Sequence, residues 1–361
     1  MPVEFCRSCV VPRTRPRVTF TDGECNACRW HRKKKQIDWS VRWAELEKLC
    51  DRFRRSNGDF DCIVPVSGGK DSSYIAMQLR DRLGMHPLTI TFAHPLWSRL
   101  GWTNWNNFVN TGFDNILITP DQRQYRKFAR DAFVSRAMPK QPFVCGISTA
   151  IIKMAKKFDI ELVVYAEQGE AEYGGDEKTT FLEKFNRDFL VNIYYEGQGD
   201  TGKYGPWWEI PSEADLERLH VTWWSNFENW DPQDHAIYAK QYCGMEMHVG
   251  GQIGTFVSYA QNEDEMQHLH CFCGFIKFGF SRCLSDAAIE VRHGRMSRDQ
   301  AVQVVNKLDG QFPVEYLPAY LDYFEMAEPE FWAVIDRHVN HDILRATGRI
   351  ERPWVLKEGV R

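Results

Sequence analysis

The chain has 361 residues, of which 43% are hydrophobic and 26% charged, with a formal net charge of −4. That length suits two or three domains, and the composition excludes a wholly disordered chain. No apolar run approaches the roughly 20 residues a membrane helix needs, and no apolar leader opens the sequence, so a cytoplasmic protein with no membrane span is expected.

The charge is uneven along the chain. Residues 1–58 hold 14 Lys and Arg against 7 Asp and Glu, so a basic part of +7 precedes a body of −11. The 11 cysteines are odd in number, and with no export signal they read as metal ligands or free thiols. Cys6-x-x-Cys9 and Cys25-x-x-Cys28 are two pairs separated by 15 residues. Thiolates at this spacing fit a tetrahedral site closed by four sulfurs. Such a site has no open position for substrate, so a structural zinc is expected, with an iron–sulfur cluster as the alternative occupant. A metal-held module over 1–38 follows, with a short strand at 18–20 and a turn at Asp22-Gly23. The basic run 29–35 reads as a solvated face or as a surface for RNA, a diphosphate or an acidic partner.

Beyond it, Trp39, Trp43, Leu46, Leu49, Cys50 and Phe53 fall at helical spacing and predict a helix over 39–55. Residues 60–66 read as a strand, and Ser67-Gly68-Gly69-Lys70-Asp71-Ser72-Ser73 follows at once. A helix through Ile75, Leu79 and Leu83 ends at Gly84. Strands are predicted at 87–93, 115–119 and 161–166, and helices at 121–136 and 143–158. Strands alternating with helices predict a parallel α/β sheet in a domain over 39–200.

Residues 201–361 read as a mostly helical substrate- or partner-binding region. Ser297 and Gln300 form a capping box. Pro329 opens a last helix carrying Phe331, Ile335, Val339 and Ile343 on one stripe. Trp207, Trp208, Trp223, Trp224 and Trp230 read as core or as stacking platforms for a sugar or base. Cys271-x-Cys273 beside His268 and His270 reads as buried thiols or a second metal site.

The seven-residue loop carries the chemistry. A helix start presents unpaired N–H groups and partial positive charge, and two glycines let an anion approach the backbone. Three serine hydroxyls and Lys70 complete a phosphate cradle. The loop resembles the PP-loop of the ATP pyrophosphatase superfamily, whose SGGxDS pattern is matched at Ser67, Gly68, Gly69, Asp71 and Ser72. The resemblance implies the adenine nucleotide alpha hydrolase-like fold, cleavage of ATP to AMP and pyrophosphate, and Mg2+ held by Asp71. It also implies that Phe92, at the end of the second strand, lies beside the adenine.

The rest of the chain narrows this. Ala166-Glu167-Gln168-Gly169-Glu170-Ala171-Glu172-Tyr173-Gly174-Gly175, then Ile276-Lys277-Phe278-Gly279-Phe280-Ser281-Arg282 with Asp286, Arg292, Gly294 and Arg298, resemble the N-acetyl sugar amidotransferase family of surface-polysaccharide (lipopolysaccharide O-antigen) pathways. The cysteine pairs match it too. The family implies conversion of an acetamido group on a nucleotide-linked sugar to an acetamidino group. ATP adenylates the amide oxygen, and ammonia displaces AMP. The ammonia comes from partner subunits similar to the glutaminase and the barrel subunit of imidazole glycerol phosphate synthase, since this chain has no glutaminase motif.

By that resemblance Lys70, Asp71, Lys277 and Arg282 are catalytic candidates, and Asp71 with Glu167 candidates for magnesium. Glu172, Tyr173, Gly174 and Gly175 are candidates for substrate. The alternative is a zinc-containing PP-loop enzyme of the tRNA-thiolation type. Against it, Cys145 lacks a CxxC partner and the body is acidic, so no nucleic acid is expected.

Overall fold

The structure, a computed structural model, describes residues 3–179, 182, 184–196, 198–250 and 252–360. At the N-terminus, β1 (Phe20–Thr21) and β2 (Glu24–Cys25) pair antiparallel. Asp22 and Gly23 join them, both at positive φ, 50° and 74°. Asp-Gly is one of the dipeptides that favour a turn with two positive φ values. The strand begins two residues later than the pattern predicts. Helix α1 (Asn26–Lys34) follows from the second cysteine pair and ends in His31, Arg32, Lys33 and Lys34, which complement its dipole. The basic run therefore lies mostly on a helix.

Helix α2 (Trp39–Phe53) is capped by Asp38, whose carboxylate accepts from the Ser40 and Val41 amides. The α/β layer follows with β3 (Cys62–Pro65), α3 (Lys70–Asp81), β4 (Pro87–Phe92), α4 (Arg99–Val109), β5 (Asn115–Ile118), α5 (Gln122–Arg136), α6 (Gln141–Lys157) and β6 (Leu162–Tyr165). Three short helices come next, α7 (Gly169–Glu172), α8 (Arg187–Phe189) and α9 (Glu213–Glu217), then β7 (His220–Trp223) and α10 (Pro232–Cys243).

The five strands are all parallel, in the order β5-β4-β3-β6-β7. Ile63 faces one core with α5 and α6, while Cys62 and Val64 face another with α2, α3 and α10. A strand buried on both faces needs a continuous apolar run, which is why 62–66 lacks polar alternation. Chain order reverses at β3, between β4 and β6, and ligands of such sheets lie outside the strands' carboxyl ends at this switch point. The loop 67–73 stands there.

Several elements have no predicted counterpart, α4 and β7 among them. Helix α4 contains Gly101 and three asparagines, a composition that hides a helix. Strand β7 lies inside the tryptophan-rich stretch, beyond residue 200. The stretch is largely core: Trp208, Trp223, Trp224 and Trp230 are all at most 1% exposed.

The C-terminal region is helical: α11 (Met266–Phe278), α12 (Arg282–Arg292), α13 (Arg298–Leu308), α14 (Leu317–Phe324) and α15 (Glu328–His338). A ribbon of β8 (Leu344–Ala346) and β9 (Trp354–Leu356) ends it. The capping box at Ser297 and Gln300 is formed on both sides. Helix α15 stops at His338, so Val339 and Ile343 of the predicted stripe lie beyond the helix, yet both are buried in the same core. Phe5, Val10 and Val11 of the cysteine module share that core. The module thus borrows its apolar burial from the C-terminal helices.

Candidate active site

Gly68 has φ +82°, and a Cβ there would lie 2.5 Å from the Trp105 amide nitrogen of α4. Only glycine fits a left-handed turn pressed this closely on a neighbouring helix. Gly69 caps α3 with no side-chain cap, so the helix N-terminus faces the crevice without a built-in acceptor. The Ser67 hydroxyl accepts from the Gly69 amide at 3.2 Å, and the Ser72 hydroxyl from the Ser67 amide at 3.4 Å. Ser73 is fully buried, and its hydroxyl has no hydrogen-bond partner among the described residues. The Glu263 carboxylate lies over Gly69, where a Cβ would otherwise sit.

Asp71 is held by three donors. Lys70 Nζ donates to Oδ2 at 2.6 Å, while Trp230 Nε1 and His235 Nδ1 donate to Oδ1 at 3.0 and 2.9 Å. Burial alone would raise Asp71, but Lys70 and His235 hold its carboxyl well below the usual range. Burial likewise opposes the charge on Lys70, and Asp71 more than offsets it. Glu167 lies in the same field. Burial, with the Asp71 charge behind it, pushes Glu167 up to about 7. Glu167 thus resists ionising beside Asp71, whose own charge Lys70 Nζ balances.

The other predicted residues divide. Phe92 turns its ring into the core against Tyr125, Phe143 and Trp208, so only its backbone reaches the strand end. Glu172 is buried and accepts from Lys34 Nζ at 2.8 Å and Trp30 Nε1 at 2.9 Å; its carboxylate anchors α1. The Gly175 carbonyl accepts from Asn26 in the same junction. Tyr173, Gly174, Lys277 and Arg282 instead line a cleft of about 530 Å3, together with Arg15, Arg17, Glu170 and Glu196. Tyr173 joins the cleft to the loop, since its ring packs edge-on against Trp230 at 5.7 Å and Trp230 Nε1 donates to Asp71; the Arg282 charge acts against that of Lys70. Lys277 is on the far side, donating to the Arg136 carbonyl at 3.0 Å.

His235, Glu263 and Arg15 carry no sequence signal, and Trp230 reads only as core or a stacking platform, not as a donor to Asp71. Each sits outside any motif and comes to the site through the tertiary fold.

The four predicted cysteines are buried and unoxidised, with all sulfurs within 4.8 Å of one another. Cys6–Cys28 and Cys9–Cys25 are 3.9 and 3.7 Å apart. A zinc tetrahedron with bonds of about 2.3 Å has edges of about 3.8 Å, so the donor set fits such an ion. Among the described residues this is the one group of three or more His, Cys, Asp or Glu able to hold a metal; His268, His270, Cys271 and Cys273 form none. Cys145 is a buried thiol pushed up to about 12 by desolvation. No described helix is long and apolar enough to cross a membrane.

Residues 253–356 match the family model described as LPS biosynthesis protein WbpG-like, C-terminal domain. This agrees with the resemblance to surface-polysaccharide enzymes, over a little under a third of the chain. A search of curated proteins finds no match. Among solved structures, the chain is similar to NMN synthetase from Francisella tularensis, with TM-score 0.31 and 9% identity over 60% of this chain and all of that one. It is also similar to the U34-tRNA thiolase NcsA from Methanococcus maripaludis, solved with its 4Fe-4S cluster, with TM-score 0.31 and 10% identity over 97% and 94% of the two chains.

Proposed function

We propose that this chain is an ATP-dependent amidotransferase that turns an acetamido group of a nucleotide-linked sugar into an acetamidino group. The observation that carries the reading is the glycine-rich turn at the sheet's switch point, joined through Tyr173 to a cation-lined cleft. The match of the C-terminal region to a lipopolysaccharide-biosynthesis family supports the substrate class.

The amides of Gly68 and Lys70 receive the pyrophosphate portion of ATP at the start of α3. Magnesium at Asp71 would neutralise phosphate charge, which leaves Glu167 to titrate. The acetamido oxygen attacks the α-phosphorus, pyrophosphate leaves, and an O-adenylated imidate forms. Lys70 and Arg282 offset the charge that develops at phosphorus. Ammonia then adds to the imidate carbon, and AMP departs with the former amide oxygen. Glu167, with a proton affinity near neutrality, takes the proton that ammonia gives up. We assign the ammonia supply to a partner glutaminase with a barrel subunit, and a structural zinc to the four cysteines. The thiolation alternative needs a reactive sulfur in the ATP domain, and Cys145 is inert by burial.

The test is pyrophosphate release by the purified chain with a panel of acetamido-bearing nucleotide sugars plus ammonium. One of these sugars, with ammonium but not glutamine, should release one pyrophosphate and one AMP per product. Lys70→Ala should raise the barrier by about 2–4 kcal/mol, as for loss of one preorganised donor. Release that requires tRNA, or ADP as product, contradicts the reading.

A further inference from the structure

The cleft holds four basic side chains, and two of them are left without a counter-ion. Arg17 pairs with Glu170 at 2.8 Å and with Glu196 at 3.0 Å. Arg282 pairs with Asp286 at 2.8 Å. Arg15 and Lys277 have no carboxylate within ion-pair distance among the described residues. Each spends one donor on a backbone carbonyl, Arg15 Nε on Gly174 at 2.7 Å and Lys277 Nζ on Arg136 at 3.0 Å. Both are recessed enough that burial lowers their proton affinity, Arg15 to about 10. Holding two cations out of water without an anion is costly, and a bound anion removes that cost.

Arg15 is also pre-positioned. It lies in the loop between the two cysteine pairs, and its guanidinium stacks on Phe280 with 5.0 Å to the ring centre. Thr14 next to it donates to the Phe278 carbonyl at 2.6 Å. The outer guanidinium nitrogens are then free to fork onto phosphate oxygens. About 530 Å3 lies within the range of small-molecule sites.

We propose that Arg15 and Lys277 form the diphosphate-binding site for the nucleotide-linked sugar, with the sugar's acetamido end directed past Tyr173 and Arg282 to the loop. The assignment deepens the function proposed above and rests on it for the identity of the sugar nucleotide. The cysteine module then supplies a substrate-binding arginine. ATP's own phosphates are the other source of such a group, and the experiment separates the two.

Titration calorimetry of the full chain with UDP, GDP, CDP and ATP, on wild type, Arg15→Ala, Arg15→Lys and Lys277→Gln, is the test. Thermal unfolding checks that each variant folds. At least one nucleoside diphosphate should bind, and its Kd should rise about tenfold or more in each variant, while the Kd for ATP moves less than about twofold. Arg15→Lys keeps the charge and loses the fork, so it remains informative should Arg15→Ala fail to fold. Absence of nucleoside diphosphate binding, or unchanged affinity in the folded variants, overturns the assignment, as does a loss confined to ATP. Diphosphate binding that depends on both residues, without pyrophosphate release from any nucleotide sugar, would sink the amidotransferase reading and keep the site. Turnover with unaltered sugar-nucleotide affinity in the variants would do the reverse.

Discussion

In the proposed mechanism Glu167 sets the pH dependence of the chemistry. Its folded value near 7 stands above the ordinary 4.5 because it is buried beside Asp71. The folded protein therefore holds this proton more tightly than the unfolded chain. The stability it contributes is complete below about 4.5, and is lost as pH rises through about 7. Activity runs the other way, because proton acceptance needs the ionised form. The ammonium-dependent rate at fixed free ammonia should climb with pH and level off above about 7. Glu167→Gln should be slow and lack that limb, and should lose less stability between pH 5 and 8 than wild type. An unchanged pH profile in Glu167→Gln would assign the proton to another group. At this scale the sequence is readable where the site is contiguous. Residues 67–73 announce a phosphate cradle because strand, glycines and helix start are neighbours in the chain. His235 reaches Asp71 from 164 residues away, and no local pattern records such a distance. Glu172 shows the converse: it stands in a motif, but Lys34 and Trp30 occupy its carboxylate.

The cysteine module is the element whose role changes most between sequence and structure. Spacing indicates a closed metal site in a segment without a core. The structure adds that its core is shared with α11–α15 and that Arg298 donates to the Cys6 and Cys9 carbonyls. Cys25 caps α1 and Cys28 lies in its first turn, where the helix dipole favours thiolates. Elemental analysis should find about one zinc per chain. Its removal by a chelator should lower the unfolding temperature and weaken nucleoside diphosphate binding, because Arg15 rides on the loop between the pairs. ATP affinity should stay within about twofold, since residues 67–73 belong to the other layer. Iron in place of zinc would reassign the occupant, and equal loss of both affinities would contradict the division of labour. Strands β3, β4 and β6 were legible because a doubly covered strand is largely apolar, and the half-buried edge strand β5 by its run Ile116-Leu117-Ile118. Strand β7 and helix α4 were not. The first hides among core tryptophans, and the second is polar and carries Gly101, which its close approach to the Glu263 backbone requires.

Across the whole molecule, the charge asymmetry has an internal use. The basic N-terminal part binds the acidic body through Arg17–Glu170, Arg29–Glu177 and the buried Lys34–Glu172 pair. A chain that is basic at one end and acidic elsewhere thus folds on itself, and the asymmetry needs no nucleic acid to explain it. That closure brings Arg15 from the first module, Tyr173 from the end of the sheet layer and Lys277 and Arg282 from the C-terminal helices to one cleft. The account's central claim is that ATP activates the acetamido oxygen of the substrate bound there. The most direct measurement places the heavy isotope of oxygen in that acetamido group, runs the reaction with ammonium, and weighs the AMP. The account expects the label in AMP, one atom for each acetamidino product formed. Unlabelled AMP alongside the same product would mean that water, not the amide, met the α-phosphorus, and would contradict it.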